Sequence, residues 1–288
     1  MKKLIPLLLC ILVLAGCAKT YDGPTTGREV LTEYTVDHFY AFFGEEETRY
    51  TNRTSFAYDI YGNRVQSMSY EDGELESKTL MTYDENGNEL TAVTWDYTGL
   101  FPKLDLRREH TYDDQGRILT STSRSGLFGE KSWGRYTYDD ENRSYTYENS
   151  YGDFITYYLD AEGRELRTVS HPGYETIHEY DEHGNRISSV STLNGVTVGR
   201  FEARFDAQNR QIYHANFDEN GRKIAEVHYE YDDEKNTLTI RRANSDIRIE
   251  YYRPDGTRYL IEDYDQEGNL SMRQSYTYRE IQVPAKEE

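Results

Sequence analysis

Cysteine is almost absent from this chain: two residues in 288, Cys10 and Cys17, both among the first seventeen positions. The body that follows has no thiol nucleophile, no disulfide and no thiolate metal ligand, so packing and hydrogen bonds alone must hold it. Proline is nearly as scarce, with six residues, which leaves long stretches free to pair as strands. Beyond residue 20 no apolar run is long enough to cross a membrane as a helix, and no segment keeps a helical period. Positive charge is short as well: 33 Lys and Arg stand against 52 Asp and Glu, for a net charge of −19. No stretch concentrates the basic residues on one face, so nucleic acid is not expected as a partner and anionic surfaces are poor ones. The mean hydropathy of −0.90 would suit a disordered chain, but aromatic residues at regular intervals argue for a folded one.

The first residues give an address. Lys2 and Lys3 precede an apolar run, Leu4 to Leu14, that is too short for a permanent span. It ends in Leu14-Ala15-Gly16-Cys17, which resembles the lipobox of bacterial lipoproteins. The resemblance implies cleavage before Cys17, a diacylglycerol on its thiol, and a lipid-anchored, extracytoplasmic protein of the bacterial cell envelope. Residues 1–16 are then a signal peptide, 17–29 a tether containing Gly23-Pro24, 30–283 the folded domain, and 284–288 a tail.

Tyrosine is abundant: 28 residues, against 10 Phe and 2 Trp. A Tyr ring buries a large area while its hydroxyl stays wet, which suits a thin, half-exposed layer. Many of these tyrosines open a recurring phrase of aromatic, Asp, two loose residues, Gly, then Asn or Arg. It reads Tyr58-Asp59-Ile60-Tyr61-Gly62-Asn63, and returns with its aromatic at Tyr83, Tyr112, Tyr180, Phe217 and Tyr264. Weaker copies sit at Tyr138-Asp139, Tyr158 with Asp160, Phe205-Asp206, Tyr231-Asp232 and Tyr252 with Asp255. Repetition every ~20–29 residues means one supersecondary unit stacked many times. Before each Tyr-Asp the residues alternate, as in Ala225, Val227, Tyr229 and Tyr231 against Glu226, His228 and Glu230, which is strand patterning with one apolar face. The Asp caps a turn by accepting backbone N–H groups two residues on, and the Gly supplies a left-handed residue. Other turns, such as Asn194-Gly195, alternate with these, so the expectation is a long antiparallel β-meander.

The recurring phrase is similar to the YD repeats of the RHS and teneurin-like proteins, over about Tyr58 to Asn269. That resemblance implies β-hairpins spiralling into a large sheet or shell, often around a toxin. The end of this chain, Val283-Pro284-Ala285-Lys286-Glu287-Glu288, has neither the core-end motif nor a toxin domain, so a closed shell holding cargo is not expected. The fold anticipated is all-β, an elongated, twisted or curled antiparallel sheet; a propeller of four-stranded blades is the alternative. Residues 30–50, with Phe39, Phe42 and Phe43, are expected to supply covering strands.

Catalytic signatures are missing. His178-Glu179-Tyr180-Asp181-Glu182-His183 has one residue too many for a zinc-protease helix and straddles a turn. No nucleophile elbow or phosphate-binding glycine loop is present, and neither an enzyme nor a cofactor is expected. The oxygen-rich Asp84-Glu85-Asn86-Gly87-Asn88-Glu89 has the alternating oxygens of a calcium loop, but turn chemistry accounts for the Asp and the Gly without an ion.

The repeat is interrupted at Gly99-Leu100-Phe101-Pro102 and Gly126-Leu127-Phe128-Gly129, 27 residues apart. Both fall on the edge opposite the Tyr-Asp turns, where equivalent loops are neighbours. Phe101 and Phe128, flanked by Trp95 and Trp133, form either a binding patch for protein or glycan or two loops packed on each other. The functional expectation is a surface-anchored, non-catalytic repeat lipoprotein that binds through this sheet; the alternatives are a structural spacer or an accessory of an RHS-type toxin system.

Overall fold

In the computed structural model the described residues are 25–42, 45–170, 173–243 and 246–284; the signal segment, Cys17 and Phe43 lie outside them. Each strong Tyr-Asp phrase forms the same turn. At the first, Asp59 N–H donates to the Asn63 carbonyl at 2.9 Å and Gly62 N–H to the Asp59 carbonyl at 3.1 Å. One carboxylate oxygen of Asp59 accepts the N–H groups of Tyr61 and Asn63, and the other accepts the Asn63 side-chain amide. Where Arg replaces Asn, its Nε donates to that same second oxygen, at 2.7 Å in Arg117 and 2.8 Å in Arg210. Asn and Arg alternate at this position because both offer an N–H in the same place. The Asn amide is the leading reason the carboxyls of Asp84 and Asp181 titrate below the usual carboxylate range. The Asp84 carboxylate of the calcium-like stretch accepts the Asn86 and Asn88 N–H groups and the Asn88 amide in the same way.

The turns join twenty strands: β1 (Thr25–Phe42), β2 (Glu45–Tyr58), β3 (Arg64–Glu71), β4 (Glu74–Tyr83), β5 (Glu89–Asp96), β6 (Lys103–Tyr112), β7 (Ile118–Ser125), β8 (Lys131–Asp139), β9 (Ser144–Asn149) and β10 (Phe154–Leu159). They continue with β11 (Glu165–Ser170), β12 (Tyr174–Tyr180), β13 (Arg186–Leu193), β14 (Val196–Phe205), β15 (Gln211–Asp218), β16 (Lys223–Asp232), β17 (Thr237–Arg242), β18 (Ile247–Tyr252), β19 (Arg258–Tyr264) and β20 (Leu270–Pro284). Every strand pairs antiparallel with the next in sequence, and β20 pairs with β1 from Thr25↔Pro284 to His38↔Met272. The meander is therefore a closed 20-stranded barrel.

Closure corrects three expectations. The antiparallel meander of hairpins is present but goes on to close, where a closed shell was not expected, and it is one continuous sheet rather than separate propeller blades. Residues 30–42 and 45–50 are not a cover over the sheet; they lie in β1 and β2, and β1 forms the seam. β1 also begins at Thr25, so its first residues come from the segment read as tether.

One face of the barrel is markedly more enclosed. Over most of the sheet it is the face of the Tyr-Asp tyrosines, with Met81, Ala92, Val227, Ile240 and Ile261 2–9 % exposed against 36–50 % for Leu80, Ile177 and Val190 on the other face. Around β15 and β19–β20 the other face is covered too, where Tyr213, Ala215, Glu262 and Leu270 are buried. Side chains converge inside a closed sheet and splay outside it, so the tyrosine face is the inward one. A ring of twenty strands is too wide for one layer of side chains to fill, and no large side chain among the described residues is fully buried. The alternation expected in Ala225, Val227, Tyr229 and Tyr231 is present and points inward.

Two strong copies of the phrase lie at the opposite rim: Phe217–Arg222 joins β15 to β16, and Tyr264–Asn269 joins β19 to β20. Turning one hairpin onto the other rim is a half-rotation about an axis in the sheet, which also exchanges the faces. The same turn must then put its aromatic outward, and Tyr264 pairs across from Ile247 and Leu270 on the outer face beside Glu262. Two weak copies depart from the phrase in different ways. Leu159 fills the aromatic slot before Asp160, while Tyr158 faces out opposite Arg167; Arg253, not Asp255, fills the Asp slot after Tyr252.

Candidate functional site

The two Gly-Leu-Phe loops lie on the rim opposite most of the Tyr-Asp turns, between β5 and β6 and between β7 and β8. In the first, a carboxylate oxygen of Asp96 accepts the Thr98 N–H and hydroxyl at 2.7 and 2.6 Å, and the other pairs with Lys103 Nζ at 2.9 Å. The Thr98 hydroxyl, followed by Lys103, holds the Asp96 carboxyl down to about 2. In the second, Gly126 N–H donates to the Asp105 carbonyl at 2.6 Å, which ties this loop to the base of the first. A Cβ on Gly129 would run into the Ser125 carbonyl, so this tight return accepts only glycine.

With both bases clamped, the tips project. Leu100 is 92 % exposed, Phe101 77 %, Leu127 64 % and Phe128 94 %. The loops are neighbours along the rim, as the repeat spacing predicts, but they do not pack as a small core. Trp95 and Trp133 stand lower on the outer wall, 36 and 37 % exposed. Trp95 faces Leu104 on one side and Lys78 on the other, and Trp133 lies opposite Thr122 under the Arg135 guanidinium. The arrangement is a crest with an aromatic wall beneath it rather than a pocket.

The register adds a feature that the linear sequence hides. Arg107 pairs across from Arg124, and Arg124 from Lys131, on the same outer face as both tryptophans. These three cations come from separate strands, and no run of basic residues announces them.

Elsewhere several titratable groups have structural partners, though the buried His110 Nδ1 has none among the described residues. His178 points inward to the Ser189 hydroxyl at 2.9 Å, and burial pulls its pKa down. His183 sits in an exposed turn beside Glu182, so the near-zincin pair does not converge. An open hollow of about 710 Å³ is lined by Glu230, Thr239, Ile249 and Tyr251, where Glu230 pairs with Arg241. Among the described residues no three His, Cys, Asp or Glu side chains gather where a metal would be held.

No family model and no curated protein matches the chain. Among solved structures, the crystal structure of TcdB2-TccC3-TEV is similar at 15 % identity and a TM-score of 0.28, over 79 % of this chain and 14 % of that one. A second crystal structure, TcdB2-TccC3, is similar at 11 % identity and a TM-score of 0.30, over 82 % and 19 %. A porin-like protein from Bacteroides uniformis is similar at 12 % identity and a TM-score of 0.39, over 89 % and 99 %. The chain thus spans less than a fifth of the TcdB2-TccC3 chains it resembles.

Proposed function

We propose that the protein is a lipid-anchored, non-catalytic binding barrel of the bacterial cell envelope, meeting its partner with the rim opposite its tether. The observation that carries this is the exposure of Leu100, Phe101, Leu127 and Phe128 on two adjoining loops whose bases are fixed. Contiguous exposed apolar side chains on a rigid scaffold mark contact surfaces. A pure spacer has no use for them.

The position of the N-terminus supports the orientation. β1 enters the barrel at Thr25 on the rim of the Tyr-Asp turns. The residues from Cys17 to Thr25 reach about 27 Å at most when extended. An acyl chain on Cys17 would hold that rim toward its membrane, with the Gly-Leu-Phe crest facing away. The barrel itself is not of the membrane-spanning kind. Such barrels need an apolar outer band about 25 Å tall, and here the outer wall carries Arg53, Lys78, Arg107, Arg135, Glu179 and Glu230.

The reading is tested by affinity capture from native envelope material, using the wild-type chain and a Phe101→Ser/Phe128→Ser variant checked for folding by circular dichroism. Retention by the first and loss by the folded second supports a binding barrel. Equal behaviour of the two favours the spacer. Mass spectrometry of the mature chain tests the anchor separately, with Cys17 expected at the N-terminus and acylated.

A further inference from the structure

We infer that the crest and the wall beneath it form a contact surface for an anionic lipid bilayer other than the one an acylated Cys17 would enter, an inference that rests on the binding role of this rim but not on lipidation of Cys17. The protein carries a net charge of −19, yet on this wall cations face cations. Arg107, Arg124 and Lys131 follow one another across three adjacent strands. Like charges directly opposite each other destabilise a sheet. Arg107 has Glu109 at 2.6 Å, while Arg124, Lys131 and Lys78 have no ion-pair partner among the described residues. Nothing in the fold rewards this row, whereas an external anion would.

The neighbouring side chains specify the kind of anion. Leu100, Phe101, Leu127 and Phe128 project beyond the cations; Trp95 lies level with Lys78 and nearer the rim than the Arg107–Arg124 pair, and Trp133 lies below it. Apolar tips, then tryptophan and long basic side chains, is the order in which a bilayer presents acyl chains, interface and phosphates. A neutral glycan would use the aromatic rings and leave the cations unmatched. Acidic ground borders the surface at the Glu71-Asp72-Gly73-Glu74 hairpin tip, and with the acidic remainder of the barrel it confines an anionic membrane to this one edge.

Trp95 and Trp133 are the only tryptophans in the chain, so intrinsic fluorescence reports from the proposed surface alone. The full chain is mixed with vesicles of phosphatidylcholine, or of phosphatidylcholine with phosphatidylglycerol, each with and without brominated acyl chains. A blue-shifted emission quenched by bromine is expected only with the anionic vesicles, and it should vanish in about 1 M salt, where screening acts within about 3 Å. Arg124→Glu/Lys131→Glu is expected to weaken anionic vesicle binding at least tenfold. Phe101→Ser/Phe128→Ser should abolish quenching, and both variants should keep the wild-type circular dichroism because all four side chains are exposed. Equal quenching by neutral vesicles overturns the inference. So does a chain that sediments with anionic vesicles without quenching, which would show binding through the acyl anchor only. Displacement by polyglutamate but not by anionic vesicles would reassign the surface to an acidic protein. That last result would leave the binding barrel standing, whereas failure of the envelope capture would remove it.

Discussion

The guanidinium of Arg117 lies 4.2 Å from the centre of the Tyr138 ring, and the Tyr138 hydroxyl donates at 3.0 Å to the carbonyl of Ile118, the residue after that arginine. The same relation joins Arg164 to Tyr180 and Arg210 to Tyr231. The Asp and Gly of the phrase build their own turn, while the Tyr and Arg bind the adjoining copy. Replacing Tyr138 with Phe is expected to cost about 1 kcal/mol for the lost hydrogen bond, read by denaturant unfolding. For the stacking itself, Tyr138→Ala removes the ring, and combined with Arg117→Ala its loss should fall short of the sum of the two single losses. Strict additivity would mean that the stacking carries no coupling.

Gly268 takes φ +88° with open space where a Cβ would stand, so Gly268→Ala isolates the backbone term. A loss of about 1–2 kcal/mol is expected, measured by thermal melting. Asn209 holds the same place in its turn at φ +66°, and Asn209→Gly should be neutral or stabilising.

Alkaline pH should destabilise the barrel. Burial, then the carboxylate of Glu250, pushes the Tyr252 hydroxyl up to about 12, and burial and Glu262 raise Tyr264 further. A phenol whose folded pKa exceeds its unfolded value of about 10 stabilises fully below that value. The contribution drains away as pH rises through the folded pKa, because the unfolded chain releases its protons first. The melting temperature should hold to pH ~10 and fall steeply toward pH 12. Tyr252→Phe should soften that fall, and an unchanged profile would assign it elsewhere.

Glu262 is 6 % exposed and accepts the hydroxyls of Tyr251 and Tyr264 at 2.9 and 2.7 Å and the Arg273 guanidinium at 2.7 Å. Burial alone would raise its pKa, but these donors outweigh burial and lower it. The stability it adds is present above the ordinary glutamate value of about 4.3 and lost as pH falls through the lower folded one. Glu262→Ala is expected to cost about 2 kcal/mol at neutral pH and proportionately less in acid. A pH-independent loss would mean that only shape matters there.

The turns were legible because their chemistry is local: Asp181 and Asn185, four residues apart, hold one another. The inward alternation of Val227, Tyr229 and Tyr231 was legible for the same reason. Closure was not, because no single residue encodes strand number or stagger, and the Thr25↔Pro284 pairing spans nearly the whole chain. The phrase also conceals its rim, since Tyr264 and Tyr83 read alike but face opposite ways. At the crest, the loops and their adjacency could be read from spacing. The row of Arg107, Arg124 and Lys131 could not, because register gathers residues that the sequence scatters.

The seam between the first and last strands gives the molecule a timetable. A growing chain lacks β20, the partner of β1, until almost every residue has been made. For that interval the partial sheet has two raw borders, each offering unpaired backbone groups to any stray strand. Both borders disappear in a single event, when the last strand, ending at Pro284, meets the first.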